Sequence, residues 1–205
     1  MKGEIRQAFA TPIGCFQFPE AEAAIVNAAL RKEILNRSQS YPSLGKSNLG
    51  GWRSRNDLLH WPVPEVAQVG EWISQAIREM ISSMAGYDGF RGDVRIVGWA
   101  SVCQKGAYNA PHVHPESALS GVYYVDPGER ASDAPLSGQL EFLDPRGRAG
   151  MAATPGDPFG DPVRVEPKAG LMVIFPSWLY HWVHPYAGDG MRIAISFNVA
   201  VAPSS

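Results

Sequence analysis

Four of the five histidines fall in two short segments, Pro111-His112-Val113-His114-Pro115 and His181-Trp182-Val183-His184-Pro185. In an extended chain residues i and i+2 face the same way, so His112 and His114 can offer two imidazoles to one ion. His181 then supplies a third from a distant strand. Neutral imidazole suits iron, zinc, copper and nickel, and three protein ligands with open positions are the pattern of a catalytic metal site rather than a closed structural one. The same spacing also fits histidines on loops bounded by prolines, holding no ion. His184 lies on the opposite face from His181 if the segment is extended, where a solvated or supporting role is expected. His60, beside Trp61-Pro62, is expected to be structural.

A second candidate is Arg192, inside the apolar run Met191-Arg192-Ile193-Ala194-Ile195-Ser196-Phe197. It shares a strand face with Ala194 and Ser196, while Met191, Ile193, Ile195 and Phe197 take the other. A guanidinium is costly to bury alone and does not deprotonate, so it needs an anion, from either a protein carboxylate or a ligand. Its fork grips a carboxylate through two hydrogen bonds, and the Ser196 hydroxyl can add a third. Gln104, Tyr108 and Asn109 could aim hydrogen-bonding groups at a pocket mouth. Core packing is the expected fate of Trp178, Tyr180 and Trp182, although one could line a substrate pocket.

The elements that must position these residues change character near residue 90. Before it, Ile25, Ala29, Leu30 and Ile34 recur at helical spacing after Pro19-Glu20, which predicts a helix over 20–37. Pro64-Glu65 opens a clearer stripe of Val66, Val69, Ile73, Ile77, Met80, Ile81 and Met84, closed by Gly86, which predicts a helix over 64–85. After residue 90, Val-, Ile-, Tyr- and Phe-rich runs at 94–103, 119–126, 138–143, 163–166, 171–175 and 191–201 alternate with Gly, Pro and Asp clusters and read as strands. The expected fold is mainly β with flanking helices, a sandwich or barrel braced on one outer face. Residues 145–162 read as a long insertion, either a loop or a lid.

The 205 residues are 45% hydrophobic and 19% charged, which suits a globular chain, and 21 glycines with 17 prolines favour short strands and turns. A formal net charge of -2, with no block of five or more like charges, argues against nucleic acid or an anionic membrane as partner. A small partner is expected. Cys15 and Cys103 read as reduced thiols, no secretory leader stands at Met1, and the longest apolar run, Leu171 to Leu179, is too short for a bilayer. The expectation is a cytoplasmic protein of one domain, with helical support over about 1–90 and a β core over about 91–202.

Five elements occur in a telling order: His112-x-His114-Pro115, then Leu119-Ser120-Gly121-Val122-Tyr123-Tyr124-Val125, Gly138-Gln139-Leu140-Glu141-Phe142, Phe175-Pro176 ahead of His181, and Arg192 eleven residues on. The arrangement resembles the double-stranded β-helix (jelly-roll, cupin-like) oxygenases that depend on Fe(II) and 2-oxoglutarate. Within them it most resembles a bacterial and phage family marked by His-x-His-Pro followed by Ser-Gly-Val-Tyr-Tyr. The likeness spans about residues 95–200 and, more loosely, Gly50-Gly51-Trp52-Arg53-Ser54. It implies oxygenation of a C–H bond, with O2, in a small-molecule or peptide substrate. It also implies that His112 and His181 bind the iron and that Arg192 holds the distal carboxylate of 2-oxoglutarate. Ser196 would support that carboxylate and Tyr124 donate to it, with Tyr123 pointing the other way.

One departure stands out, because the wider superfamily places an acid two residues after the first histidine and this chain has His114. Either three histidines bind the ion, or the frame shifts so that His114 is the first ligand and Glu116 the acid. Pro115 interrupts the second frame, so His112, His114 and His181 are the favoured metal set. Two alternatives are a cupin-type three-histidine dioxygenase or isomerase without 2-oxoglutarate, and a non-catalytic module that senses a metal or small molecule.

Overall fold

The structure is a computed structural model that describes residues 3–4, 9–86, 93–129, 131–147, 155 and 162–202. The predicted insertion at 145–162 lies for the most part outside the described residues.

Helix α1 spans Glu20–Ser40 and buries Ala23, Val26, Asn27, Leu30 and Ile34. Ile25, expected in that stripe, is 72% exposed. At 3.6 residues per turn it lies about 200° around the axis from Ala23, so it cannot share a face with Ala23, Val26, Leu30 and Ile34. Helix α2 spans Pro64–Ala85, the predicted bounds, with Pro64 in the first turn where its missing N–H costs nothing. Gly86 ends it in the left-handed region, φ 72, and donates its N–H to the Ser82 carbonyl. Trp72 and Ala76 join the buried stripe, whereas Met84 points outward.

Eleven strands follow the chain as β1 (Gly14–Gln17), β2 (Asn48–Leu49), β3 (Trp52–Arg53), β4 (Asp93–Cys103), β5 (Tyr108–His112), β6 (Leu119–Asp126), β7 (Leu140–Phe142), β8 (Val163–Val165), β9 (Leu171–Pro176), β10 (His181–Val183) and β11 (Arg192–Ala202). They build a six-stranded sheet in the order β1-β9-β6-β11-β4-β3 and a five-stranded sheet in the order β2-β5-β10-β7-β8, with antiparallel pairings throughout. From β4 to β11 the chain passes back and forth between the two sheets, which is the double-stranded β-helix expected. Strands β5 and β10 carry His112 and His181, in keeping with the strand reading of the histidine segments, but Tyr-Asn-Ala-Pro-His and His-Trp-Val lack the apolar alternation that marks a strand, so these spans, like β1, β2 and β3, lie outside the strand runs read from the sequence.

The six-stranded sheet carries an apolar layer on each face. On the outer face Tyr123, Met172, Ile174, Ile193, Ile195 and Phe197 pack with the stripes of α1 and α2. On the inner face Tyr124, Val173, Phe175 and Ala194 meet Leu140, Phe142 and Leu179. Burying one such large side chain is worth roughly 1.5–3 kcal/mol, so two packed layers hold the sheet rigid behind whatever its inner face presents. Gly121 is required by this packing, since a Cβ there would sit 2.3 Å from Phe197 Cζ. Among the described residues no helix is long and apolar enough to cross a membrane, and Cys15 and Cys103 are both free.

Candidate metal centre

Strands β5 and β10 pair so that His112 stands opposite His181. His114 lies two residues past the end of β5, where its N–H donates to the Ser177 carbonyl at 2.9 Å, tying it to the turn that precedes β10. One ring nitrogen from each of the three histidines lies within 4.8 Å of the others, and His114 Nε2 is 3.3 Å from His181 Nε2. Glu116 is exposed, adopts a left-handed φ of 68, and is not part of this group.

Each ring is oriented through its other nitrogen. His112 Nδ1 faces the Ala110 carbonyl at 2.7 Å and His181 Nδ1 the Leu179 carbonyl at 2.8 Å. A carbonyl only accepts, so both rings keep their proton on Nδ1 and present an Nε2 lone pair, the tautomer a metal requires. His114 Nδ1 instead meets the Asn198 amide, with Nδ2 at 3.4 Å, while Asn198 Oδ1 accepts from Ser120 at 2.9 Å. An amide can serve either tautomer: after a half-turn its oxygen would accept from His114 Nδ1–H and its nitrogen would donate to Ser120 Oγ.

Burial keeps all three rings uncharged. It lowers His112, although the bond to Ala110 works the other way. It takes His114 down to about 4, helped by the repulsion that a protonated ring there would meet from His112, if that too took up a proton, and from Arg53 and Lys46. His181 falls to about 3 through burial and the proximity of His112 and His114. Neutral imidazoles at neutral pH are what ligation needs, so the donor set fits a divalent ion.

Arg192 begins β11 across from Cys103 and is 3% exposed. Among the described residues its Nε has no hydrogen-bond partner, and its guanidinium stands 5.1 Å from the Tyr124 ring centroid. The buried Tyr124 hydroxyl is unpartnered too, and burial raises its pKa, so it stays a donor. Gly138, φ 66, makes room, since a Cβ there would come within 3.0 Å of Arg192 Cδ. Two orphaned donors that converge in one cleft are the mark of a site for an anion that both can hold. Ser196 lines the same cleft, and Tyr123 points away, donating to Asn27 at 2.8 Å.

The remaining candidates are sorted by the alternation of the chain. Asn109 lines the cleft, whereas Tyr108 does not and Gln104 is exposed. Trp178 and Tyr180, expected in the core, are 57% and 53% exposed, because they alternate with the inward Ser177, Leu179 and His181. His184, for which a solvated role was among the expectations, is buried and bonded to Glu141 at 3.0 Å. His60 is exposed in a short 3-10 turn, Leu58–His60. Sequence reasoning passed over Arg53, Ser47, Trp99 and Asn198. Arg53 had the one available signal, its place in the Gly50–Ser54 segment.

Residues 98–198 match the family described as "Putative 2OG-Fe(II) oxygenase". No curated protein sequence matches the chain. The fold is similar to that of a Pseudomonas putida prolyl-4-hydroxylase, 18% identical, with 94% of each chain covered and a TM-score of 0.67. It is also similar to a Trichoplax adhaerens prolyl hydroxylase in complex with a hypoxia inducible factor peptide fragment, 18% identical over 92% of this chain and 83% of that one, TM-score 0.62. A third similar structure is HygX from Streptomyces hygroscopicus with nickel and 2-oxoglutarate bound, 13% identical over 93% and 83%, TM-score 0.61.

Proposed function

We propose, from the premise that residues 98–198 belong to the 2-oxoglutarate–Fe(II) oxygenase family, that His112, His114 and His181 hold the iron and Arg192 holds the 2-oxoglutarate. The observation that carries the reading is the pairing, in one cleft, of three convergent neutral imidazoles with an arginine and a tyrosine whose donors are unspent. When bound, Fe(II) and 2-oxoglutarate supply the oxidation of a substrate C–H bond by O2. The chain works as one domain on a small-molecule or peptide substrate. An exposed free thiol at Cys15 supports a reducing, cytoplasmic setting.

The residues divide the work. His112 and His181 are fixed in the ligating tautomer by backbone carbonyls, so little reorganisation is needed when an ion arrives. Arg192 and Tyr124 donate to the distal carboxylate, and Ser196 adds a hydroxyl from the same strand face. Phe175 and Val122, which line the cleft, exclude water and so strengthen each of these hydrogen bonds.

The test is Fe(II)- and O2-dependent formation of succinate from 2-oxoglutarate by purified protein, slow alone and faster with a substrate. His181→Ala should abolish it while the chain stays folded. Protein that binds both Fe(II) and 2-oxoglutarate yet forms no succinate across a broad substrate panel would be a sensing module instead.

A further inference from the structure

We propose that Arg53 forms a second anion seat in the cleft, which takes a carboxylate or phosphate group of the substrate to be oxidised; this rests on the oxygenase reading. Strand β3 pairs with β4 so that Arg53 stands opposite Ser101, and Ser101 stands opposite Ala194 of β11. That row faces the cleft, which Arg53, Ser101 and Ala194 all line. The Arg53 guanidinium lies 4.4 Å over the Trp99 ring, and that ring lies 6.0 Å from His114. A cation is thus held one aromatic ring away from the histidine cluster.

Among the described residues no group neutralises it. Arg53 is 4% exposed, and its committed donors are Nη1 to the Ser54 carbonyl at 3.0 Å and Nη2 to Asn56 Oδ1 at 2.6 Å. Both acceptors are uncharged, and among the described residues no carboxylate pairs with Arg53. A guanidinium has five N–H donors, so the fork retains donors for a ligand. An unpaired buried charge is expensive, and a residue kept that way stores affinity for an anion. Burial lowers its pKa only to about 10, so it remains a cation at neutral pH.

The seat is separate from the one at Arg192. Arg53 and Arg192 stand on strands two ladder spacings apart, about 10 Å between backbones, and their guanidinium groups lie over different rings, Arg53 over Trp99 and Arg192 over Tyr124. The exposed Lys46 adds positive potential near His114, which favours capture of anions at the mouth. A substrate seated on Arg53 bears its negative group close to the carbon that reacts. That describes a small acid or phosphate ester rather than a neutral stretch of peptide.

The experiment uses the full chain loaded with Mn(II) and saturating 2-oxoglutarate, and follows paramagnetic relaxation of acetate protons, of phosphate phosphorus and of acetamide protons. Saturable enhancement is expected for acetate, phosphate or both, and the stronger of the two identifies the group. Acetamide should show none. Arg53→Gln should weaken the effect at least tenfold while 2-oxoglutarate affinity, by calorimetry, stays within twofold. If Arg53→Gln does not fold, Arg53→Lys carries the test, with binding weaker by about threefold or more because the fork is lost. Enhancement unchanged in the variants would put the anion elsewhere, and absence of saturable binding in the wild type would refute the seat. Loss of 2-oxoglutarate in Arg53→Gln with retention in Arg192→Met would make Arg53 the cosubstrate anchor. Failure of Mn(II) or 2-oxoglutarate to bind the wild type appears before any probe is added, and overturns the oxygenase reading and the seat together.

Discussion

On the outer side of the five-stranded sheet, the Glu141 carboxylate accepts from His184 at 3.0 Å, from Trp182 Nε1 at 3.1 Å and from Arg164. On the inner side, and on the same strand β10, His181 stands with His112 and His114, and among the described residues no carboxylate joins them. Trp182 and Glu141 are direct cross-strand neighbours, as are His181 and Phe142 one residue earlier, so a single pleat separates the two clusters. The outer one is satisfied by protein alone: burial works to raise the Glu141 pKa, and the bonds from Arg164, His184 and Trp182 overcome it and hold the carboxyl below its ordinary range. The inner one is left open, with nitrogen lone pairs gathered and nearby donors on Tyr124 and Arg192 unspent. Histidine content does not distinguish a functional cluster from a structural one. What distinguishes them is whether the protein itself supplies the partners.

The largest test of that contrast is metal affinity. His181→Ala and His112→Ala should each lower it about 100-fold or more and His114→Ala at least about tenfold, by calorimetry with Mn(II), while Glu116→Ala changes nothing. A fall for Glu116→Ala with His114→Ala intact would establish the shifted frame. Next in size, Arg192→Met should cost about 2–5 kcal/mol of 2-oxoglutarate binding, well over tenfold, and unchanged affinity would remove the anchor. Asn198→Leu removes the amide that meets His114 Nδ1 and should weaken metal binding about tenfold with 2-oxoglutarate binding to loaded protein retained.

The smallest effects belong to stability. Glu141→Gln should cost about 1–3 kcal/mol in chemical denaturation and leave metal affinity within twofold, since its role ends at the outer face. A loss of metal there would break the comparison. The two faces should also differ in pH window. His114 and His181 titrate near 6.5 when unfolded and at about 4 and 3 in the fold, so the unfolded chain takes up protons first. Metal-free protein should therefore lose stability as pH falls below about 6.5, and the His114→Gln/His181→Gln double variant should lose less. Glu141, whose pKa is depressed, gives stability that is fully present above the ordinary carboxylate range and is lost at lower pH, as pH falls through its folded value.

Much of the centre was legible in the chain. Period-two alternation placed Arg192, Ala194 and Ser196 on one face of β11 and Ile193, Ile195 and Phe197 on the other, and the structure keeps that division. Proline and glycine marked both ends of α2. The two histidine segments announced themselves by residue type alone. Other features depend on contacts far apart in sequence. Nothing local shows that His114, already outside its strand, is held in place by Ser177, or that Asn198 will meet its ring. Arg53 reaches the cleft only because β3 adds to the edge of the six-stranded sheet in one register, and a shift of one residue would turn its side chain to the other face. Periodicity is a property of neighbours along the chain and fixes which side of an element a residue takes. Which elements meet, and whether a buried donor finds a protein partner or is left for a ligand, is decided by long-range pairing and packing, and therefore by the tertiary structure.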